Sequence, residues 1–301
     1  MPSPDPRDGT FRTDAARPER LDRVLRRFRP QCSWSDVRDL ITRGKVVVDG
    51  ARVTDAGHLV GPGSEIAIAV ARARLERTGV VPPFDRARVL YLDREVVVVD
   101  KPPGLSTVPW GDEQDALDQR LATLLGQPVR TVHRLDRDTS GALMFARTAA
   151  AFTHLEHQLR RHSVHRSYLA VAHGTVLGGT IRSFLADDRG DGLRGSIANA
   201  RIGKEAITHF DPVETLRGAT LVCCRLETGR THQIRIHLAE QGHMLLGERG
   251  YVREHRGPVL DAPRILLHAA ELGFVHPATD APMHFAVPMP EDMAAIVAAL
   301  R

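Results

Sequence analysis

The chain has 301 residues, of which 42% are hydrophobic and 26% are charged, a composition typical of a soluble globular protein with room for two domains. It has no apolar run of membrane-spanning length, no secretory signal and no zinc-type cysteine spacing. We therefore expect a cytoplasmic protein without a membrane anchor or a disulfide framework. The formal net charge is +4, and lysine supplies only three of the 41 basic residues. This arginine bias permits nucleic-acid binding, although a GC-rich genome would also produce it.

The N-terminal part of the chain is predicted to contain a tail and a small folded module. Residues 1–17 are mostly polar and are predicted to be a disordered tail. Residues 18–70 are predicted to form an α-α-β module, in which the first helix ends at Pro30 and the second at Gly44. A hairpin follows, because Asp49-Gly50 separates two short β-prone runs.

Basic side chains are concentrated in the same segment. Its motifs RLDRVL, SWSDVRDLITRGKVVVDG and GHLVGPGSEI resemble the S-four-type RNA-binding module, named after a small-subunit ribosomal protein. Asp49 stands where that family usually carries Asn, but both residues tolerate a left-handed turn. The resemblance implies RNA contacts by basic residues of the module. These residues are Arg20, Arg23, Arg27, Arg43 and Lys45.

Residues 71–88 are predicted to be a semi-stiff linker, and residues 89–301 one continuous domain. This domain has many short strand-like runs and few helical patterns, one of which begins at Thr148. Because turns rather than crossovers join the strands, we expect an α+β fold around a mixed, largely antiparallel sheet and not a Rossmann fold. The strand-like runs are Val96–Val99, Ala142–Ala146, Tyr168–Ala172, Leu221–Leu226 and Ile265–His268.

The sequence lacks the motifs of several classes of enzyme. The sequence has neither a P-loop nor a Gly-rich dinucleotide loop, so nucleotide hydrolysis and dinucleotide redox chemistry have no support. Four histidines, His154, His157, His162 and His165, cluster around one helical pattern without the spacing of metal ligands on one face. We interpret them as an exposed polar surface, and expect neither a cofactor nor a metal.

Two other segments carry residues suited to chemistry. In HRLDRDTSG, residues 133–141, a carboxylate among guanidinium groups would stay ionised and act as a nucleophile or base, although a polar surface turn would have the same composition. The segment GRTHQIRIH supplies further cations. Its apolar residues alternate as in a strand, but Thr231 as N-cap and Gly242 as C-terminal stop favour a helix over residues 232–241.

These segments resemble the motifs of RluA-type pseudouridine synthases. HRLDRDTSG is similar to the signature loop of that family, and VVVVDKPPGLSTVPW, SYLAVAHG, GKEAIT, TGRTHQIRIHLAEQGHMLLGERGY and LLHAAELGFVHP are similar to its other motifs in the same order. The match covers about residues 89–290. Three features depart from the family pattern: Arg166 where Lys is frequent, Glu248 where Asp is usual, and residues 186–200, which are expected to form a loop.

The resemblance implies isomerisation of uridine in RNA, in which the glycosidic C–N bond breaks and carbon five of uracil joins the ribose. Asp136 is then the catalytic carboxylate, Arg235 its ion-pair partner, and Tyr168 the aromatic residue that stacks on the target base. Arg134 is expected to enter the space that the flipped base leaves. Further RNA contacts are expected from Lys101, for which a structural role is the alternative, and from Arg230.

His133 and His232 are interpreted as hydrogen-bonding residues that fix loops rather than as acids or bases. For Asp136, attack on the sugar, addition to the base and assistance to proton removal from the sugar are all compatible with the sequence. A transfer-RNA enzyme and a non-catalytic RNA-binding or ribosome-assembly factor are the alternatives to a ribosomal-RNA enzyme. The arginine-rich N-terminal module favours a large structured RNA, such as large-subunit ribosomal RNA. A monomer with RNA as its partner is expected.

Overall fold

The computed structural model describes residues 9–14, 16–42, 44–68, 81–109, 113, 115–190 and 192–301. These residues fall into two compact units. The N-terminal unit lies within Met1–Val80 and Pro109–Gln114, and the C-terminal unit lies within Val81–Val108 and Asp115–Arg301. No helix in the described ranges has the length and apolar character that crossing a lipid bilayer requires.

The N-terminal unit combines two short helices with two small sheets. Its elements are β1 (Gly9–Arg12), β2 (Glu19–Arg20), α1 (Leu21–Phe28), α2 (Trp34–Thr42), β3 (Val46–Val48), β4 (Ala51–Val53), β5 (Leu59–Val60) and β6 (Glu65–Ile68). The larger sheet has the strand order β1-β6-β3-β4, and β2 pairs with β5. Helices and sheet share one core, in which Leu21, Ile41 and Ile66 are fully buried. The predicted α-α-β arrangement is confirmed.

Local sequence explains where these elements begin and end. At the start of α2, the Ser33 hydroxyl accepts a hydrogen bond from the Asp36 N–H, and the Asp36 carboxylate accepts one from the Ser33 N–H at 2.9 Å. This reciprocal pair satisfies two N–H groups at the helix N-terminus. Between β3 and β4, Asp49 and Gly50 have φ values of 48° and 81°, the left-handed conformation that a two-residue hairpin turn requires.

Two predictions at the ends of this unit need correction. Residues 9–12, predicted to belong to a disordered tail, form β1 and pair antiparallel with β6. The strand is held in place because the ring of Phe11 stacks on Phe28, with 4.2 Å between the ring centroids. The first ten residues of the predicted linker 71–88 lie outside the described residues, whereas Phe84 is buried in the core of the C-terminal unit.

The C-terminal unit is built on one large sheet. Its elements are β7 (Val89–Leu92), β8 (Val96–Lys101), α3 (Leu117–Leu125), β9 (Arg130–Thr131), β10 (Ser140–Ala146), α4 (Ala149–Arg160), β11 (His165–His173), β12 (Gly179–Ala186), β13 (Gly195–Ile197), β14 (Lys204–Leu216), β15 (Ala219–Leu226), α5 (Gln233–Glu240), β16 (Leu267–Val275), β17 (Pro282–Ala286) and α6 (Glu291–Leu300). The main strand order is β13-β12-β14-β15-β11-β16-β10-β8-β7, with β17 paired to β16 and β9 to β10.

The sheet is mixed, as predicted. Strands β10 and β16 pair in parallel, and the other strand pairs that the structure describes in this sheet are antiparallel. At the parallel pairing, Gly141 has a φ of 109°, and a Cβ atom there would collide with the backbone of Ala269. Only glycine therefore allows the start of β10 to approach β16 this closely.

Both faces of the sheet are covered by apolar residues. Alternate residues of β8 point to opposite sides, so that Val97 and Val99 join one core cluster and Val96 and Val98 join another. Helix α4 contributes Leu155 to the second cluster and is capped as predicted by Thr148, whose hydroxyl accepts a hydrogen bond from the Ala151 N–H at 3.1 Å. The β-branched run of β8 is thus typical of a strand buried on both faces.

The segment 186–200, predicted to be a loop, contains a strand. β13 pairs antiparallel with the end of β12. The carboxylate of Glu240 in α5 accepts hydrogen bonds from the Ser196 N–H at 2.8 Å and from the Ser196 hydroxyl at 2.5 Å. These contacts tie the segment to α5, and a turn-rich composition alone did not reveal them.

Candidate active site

The HRLDRDTSG segment connects β9 to β10 and is fixed by a second loop that follows β8. The Thr107 hydroxyl donates to the Leu135 carbonyl at 2.8 Å and accepts from the Leu135 N–H at 3.1 Å. The Gly104 N–H donates to the Arg137 carbonyl at 2.9 Å, and Arg137 Nε donates to the Gly104 carbonyl at 3.0 Å. Asp136 therefore lies between two anchored residues, which hold its backbone in place.

Lys101 fastens the same two loops from inside the protein. Its ammonium group is fully buried and donates to the carbonyls of Pro102, Leu105 and Arg137 at 2.7–2.9 Å. All three hydrogens are thus used within the fold, which corrects the predicted RNA contact in favour of the structural alternative. Burial lowers the pKa of Lys101 to about 7, and the negative charge of Asp136 opposes that shift.

Asp136 faces a cation that is itself held by a second carboxylate. Arg235, from the first turn of α5, donates through Nη1 to Asp136 Oδ2 at 3.1 Å. The other edge of its guanidinium makes two hydrogen bonds to Glu248, at 2.7 and 3.1 Å. The Glu248 side chain is fully buried, that of Arg235 is 11% exposed, and that of Asp136 is 26% exposed. Glu248 therefore orients the guanidinium, and Asp136 keeps access to solvent.

The charge state of Asp136 follows from these neighbours. Burial acts to raise the pKa of its carboxyl. The positive charge that His232 carries in acid, the charge of Arg235 and the hydrogen bond from Arg235 together hold that pKa below its ordinary value. Burial also lowers the pKa of His232 to about 4, so this imidazole is neutral at pH 7 and Arg235 provides the cation there. The Asp136 carboxylate is ionised at neutral pH, as a nucleophile or base requires.

His232 presents one defined nitrogen to Asp136. It occupies the N-cap position of α5 with a left-handed φ of 59°, which corrects the prediction of Thr231 as N-cap. Its Nδ1 lies 2.7 Å from the Tyr251 hydroxyl, and its Nε2 lies 3.9 Å from Asp136 Oδ2. Burial raises the pKa of Tyr251 to about 12, so the phenol is protonated and is able either to donate to Nδ1 or to accept from it. The nearby Asp136 carboxylate favours the neutral tautomer that carries its hydrogen on Nε2, and in that tautomer the phenol donates to Nδ1.

Tyr168 lies on β11 at an irregularity of the sheet. The register between β11 and β16 shifts between Ser167 and Tyr168, and such bulges redirect a side chain. Tyr168 is 6% exposed and shares a core cluster with Leu135 of the HRLDRDTSG segment. Burial raises the pKa of its phenol, with Arg166 opposing and Asp136 reinforcing the shift. The phenol is therefore neutral and lies within the electrostatic reach of Asp136.

Two further groups, Arg166 and His133, adjoin this site. Arg166 donates through Nη2 to the Glu227 carbonyl at 2.9 Å, while its buried Nε has no hydrogen-bond partner among the described residues. Burial lowers the pKa of His133 to about 3, and the charge of Arg166 acts in the same direction. His133 Nε2 accepts a hydrogen bond from the Met144 N–H at 3.4 Å. His133 is thus neutral and makes a loop-to-strand hydrogen bond of the predicted kind.

The other predicted RNA contacts of the C-terminal unit lie on the surface. Arg134 is exposed and makes no hydrogen bond or ion pair with the described part of the chain. Arg230 is also exposed, and its Nε donates to the Glu205 carbonyl at 2.9 Å. Both guanidinium groups remain predicted RNA contacts.

In the N-terminal unit one prediction changes. The Arg20 guanidinium makes two hydrogen bonds, of 3.1 and 2.8 Å, to the almost fully buried Asp22, which assigns it a structural role instead of the predicted RNA contact. The other residues remain predicted RNA contacts. Arg23 and Arg27 are exposed, Lys45 is half-buried, and Arg43 lies outside the described residues.

Two residues of the site had no role in the sequence-based prediction. Glu248 was only a departure from the family pattern, and Tyr251 was only part of a motif. Their shared signal is GERGY, where a carboxylate stands beside glycines in a turn. The N–H groups of Arg249, Gly250 and Tyr251 converge on Glu248 Oε1 at 2.7–3.3 Å. A buried acid requires a cationic partner, and Arg235 in GRTHQIRIH was available to supply it.

The arrangement combines an ionised, partly exposed carboxylate with a neutral imidazole N–H and a neutral buried phenol. These groups can attack an electrophilic carbon, accept a proton and stack on a planar ring. Within the described residues, the candidate site holds no cluster of three His, Cys, Asp or Glu side chains with metal-ligand geometry.

Comparison with known proteins agrees with this geometry. A family model described as RNA pseudouridylate synthase matches residues 95–240, and the S4 domain model matches residues 19–66. Two human structures, RNA Pseudouridylate Synthase Domain Containing 4 and Domain Containing 1, superpose with TM-scores of 0.60 and 0.54. They are 20% and 24% identical, cover 71% and 70% of this chain and 93% of their own, and show the shared fold.

Curated relatives match nearly the whole chain. Ribosomal large subunit pseudouridine synthase D of Xylella fastidiosa is 37% identical, over 96% of this chain and 91% of its own length. The uncharacterized RNA pseudouridine synthase YlyB of Bacillus subtilis is 36% identical, over 94% of both chains. The resemblance found in the sequence motifs is confirmed. The chain belongs to the RNA pseudouridylate synthase family and is an isomerase that converts uridine to pseudouridine in RNA.

Proposed function

We propose that this protein modifies specific uridines of large-subunit ribosomal RNA and that Asp136 is its catalytic carboxylate. The observation that carries the catalytic assignment is the hydrogen bond of 3.1 Å between Asp136 and Arg235. Glu248 orients Arg235 by accepting a hydrogen bond from its Nε. Two relatives of this chain support the substrate assignment. The proteins from Xylella fastidiosa and Xanthomonas campestris are 37% and 35% identical to it, and both are named ribosomal large subunit pseudouridine synthase D.

The target uridine must first leave its base stack, which costs a few kcal/mol. Arg134, exposed and without a partner among the described residues, fills the vacated position, because a planar guanidinium can stack on the neighbouring bases. Tyr168 offers an aromatic face to the flipped uracil. Arg230 is expected to bind phosphate, and contacts of that kind supply affinity rather than sequence choice.

Asp136 then acts at the reacting nucleotide. Attack on the anomeric carbon, addition to the base and assistance to removal of a ribose proton each begin from an ionised oxygen in a fixed position. Arg235 holds the Asp136 carboxylate in position and opposes its protonation. After the base has turned and carbon five has bonded to the ribose, the hydrogen on carbon five must leave. Because the Tyr168 phenol is neutral, we expect it to relay that proton: its oxygen accepts the hydrogen from carbon five while its own proton passes to water.

Mapping pseudouridines across total RNA in a strain that lacks this protein tests the substrate. We expect loss at a small set of positions in large-subunit ribosomal RNA, with recovery when the wild-type protein is supplied and no recovery with Asp136→Asn. If pseudouridines were lost only from transfer RNA, the substrate would be transfer RNA and not ribosomal RNA. An unchanged map would instead support a non-catalytic RNA-binding role, and equal recovery by Asp136→Asn would refute the catalytic assignment.

A further inference from the structure

We propose that His165, Glu271 and His284 form a zinc site on the surface of the C-terminal sheet. His165, which is predicted to belong to an exposed polar helical surface, lies instead on β11. Glu271 follows on β16 and His284 on β17, the two strands that continue the sheet from β11. None of the three residues takes part in the proposed catalytic chemistry, so the proposal is independent of it.

The three ligand atoms already converge. His165 Nε2 lies 3.0 Å from Glu271 Oε2, and His284 Nε2 lies 3.7 Å from the same oxygen. One ligand atom from each side chain lies within 4.8 Å of the other two. In the described part of the chain, no other group of three His, Cys, Asp or Glu side chains meets this condition.

Strand register explains the convergence. Gly273 of β16 pairs with His165 on one side and with His284 on the other. Glu271 precedes Gly273 by two residues on the same strand and therefore shares its face of the sheet. A Cβ atom at Gly273 would lie 3.2 Å from His165 Cβ and 3.6 Å from His284 Cδ2. The glycine thus leaves the space between the two imidazoles open.

The donor set selects the metal. Two imidazole nitrogens and one carboxylate oxygen suit Zn²⁺, with metal–ligand distances of about 2.0–2.2 Å. Tetrahedral geometry at these distances separates neighbouring ligand atoms by about 3.3 Å, close to the two separations measured here. Calcium and magnesium prefer oxygen ligands throughout. Because the side chains are 46%, 44% and 59% exposed, zinc can enter and a water molecule can complete the coordination.

A bound zinc ion would join three strands. In the described residues β17 pairs with β16 and with no other strand, so its outer edge is unpaired. Coordination by His284 would tie this edge strand to β16 and, across Gly273, to β11. Since an ion that binds only the folded state stabilises that state, zinc should raise the thermal stability of the C-terminal unit.

Zinc titration of the untagged, metal-free, full-length protein tests the proposal, with calorimetry and thermal unfolding as readouts. We expect one equivalent of zinc to bind and Tm to rise to a plateau. His284→Ala should weaken binding by at least about tenfold and abolish the rise in Tm. Glu271→Gln, which keeps the size of the side chain, should also weaken binding, so that a folding defect in the first variant cannot explain the result.

His209→Ala is the matched control. His209 Nε2 lies 2.8 Å from Glu227 Oε1 in the same sheet, but no third ligand joins that pair in the described residues. We expect this variant to bind zinc like the wild type. The proposal is wrong if zinc binding does not saturate, if neither His284→Ala nor Glu271→Gln weakens it, or if His209→Ala weakens it equally.

Discussion

Arginine side chains have different partners in the two units. In the C-terminal unit, Arg235 is 11% exposed and lies between Glu248 and Asp136. In the N-terminal unit, Arg27 is 43% exposed and pairs with Glu19 at 2.7 Å and with Asp14 at 2.9 Å. A charge pair removed from water interacts strongly and fixes geometry, whereas an exposed pair contributes little and exchanges easily.

Buried and exposed arginines are therefore expected to serve different functions. The buried cation keeps one carboxylate ionised and oriented, so that replacing any member should affect catalysis or stability strongly. The exposed cation can exchange its carboxylate partners for the phosphates of RNA, so that its removal should affect affinity and salt dependence only. Substitutions of Asp136, Glu248, Tyr251 and the exposed arginines test this division.

The largest effect is expected from Asp136→Asn. The substitution keeps the size of the side chain but removes its charge, so release of tritium from carbon five of uracil should fall by about 10³-fold or more. RNA affinity should change little, because phosphate contacts dominate it. Asp138→Asn is the control, since the Asp138 carboxylate makes no hydrogen bond or ion pair within the described residues. Normal tritium release by Asp136→Asn, or its loss in Asp138→Asn alone, would contradict the assignment.

Glu248→Gln is expected to have the next largest effect. It leaves Arg235 without its buried carboxylate partner, which should lower the free energy of unfolding by about 3 kcal/mol and slow tritium release by about tenfold or more. Burial acts to raise the pKa of Glu248, but Arg235 and neighbouring N–H groups hold it below its ordinary value. Urea unfolding at several pH values measures the effect on stability.

The pH dependence of that effect has a defined sign. A carboxyl group with a depressed pKa in the folded state stabilises the protein fully above its unfolded pKa of about 4.3, and this stabilisation is lost as pH falls through the folded pKa. Gln cannot titrate. The stabilities of wild type and Glu248→Gln should therefore differ at neutral pH and converge in acid, and a constant difference would argue against a role through charge.

Sequence patterns predicted the elements that depend on local preference. The β-branched run Val96–Val99 and the capping residue Thr148 each produced the expected strand or helix. β1 was missed because its four residues carry no strong periodicity, and the contact of Phe11 with Phe28 holds it only once α1 has formed. A contact between residues far apart in the chain cannot be predicted from a short window of sequence.

The candidate site shows the same limit. Family motifs brought Asp136 and Arg235 to attention, but Lys101 in a turn could equally have faced solvent. Its role depends on the Arg137 carbonyl, 36 residues further along the chain, which lies 2.9 Å from Nζ. His232 was assigned a hydrogen bond, yet nothing local indicated that Tyr251 would be its partner.

A smaller effect is expected from Tyr251→Phe. Loss of the hydroxyl leaves His232 Nδ1 without its donor, so both neutral tautomers become populated and Nε2–H no longer always faces Asp136. We expect kcat to fall by about tenfold, with KM unchanged. Because Tyr251→Phe keeps the aromatic ring beside Arg235, its Tm should stay close to that of wild type. An unchanged kcat would show that the tautomer of His232 has no part in the reaction.

The smallest effect on turnover is expected from Arg23→Ala and Arg27→Ala in the full-length protein. Each variant should weaken binding to a large-subunit ribosomal RNA fragment. Each should also reduce the slope of log affinity against log salt concentration by about one for every phosphate that the protein no longer neutralises. Filter binding at several salt concentrations measures both quantities, while kcat at saturating RNA should not change.

Arg20→Ala is the contrasting variant in the same unit. Arg20 uses its guanidinium to satisfy the buried Asp22 carboxylate, so its removal should lower the free energy of unfolding by about 2 kcal/mol and leave the salt slope unaltered once folding is complete. If Arg23→Ala and Arg27→Ala keep the wild-type salt slope while Arg20→Ala reduces it, RNA binds through the cation that we assign to the fold. The division between exposed arginines and those that satisfy a buried carboxylate then fails in this unit.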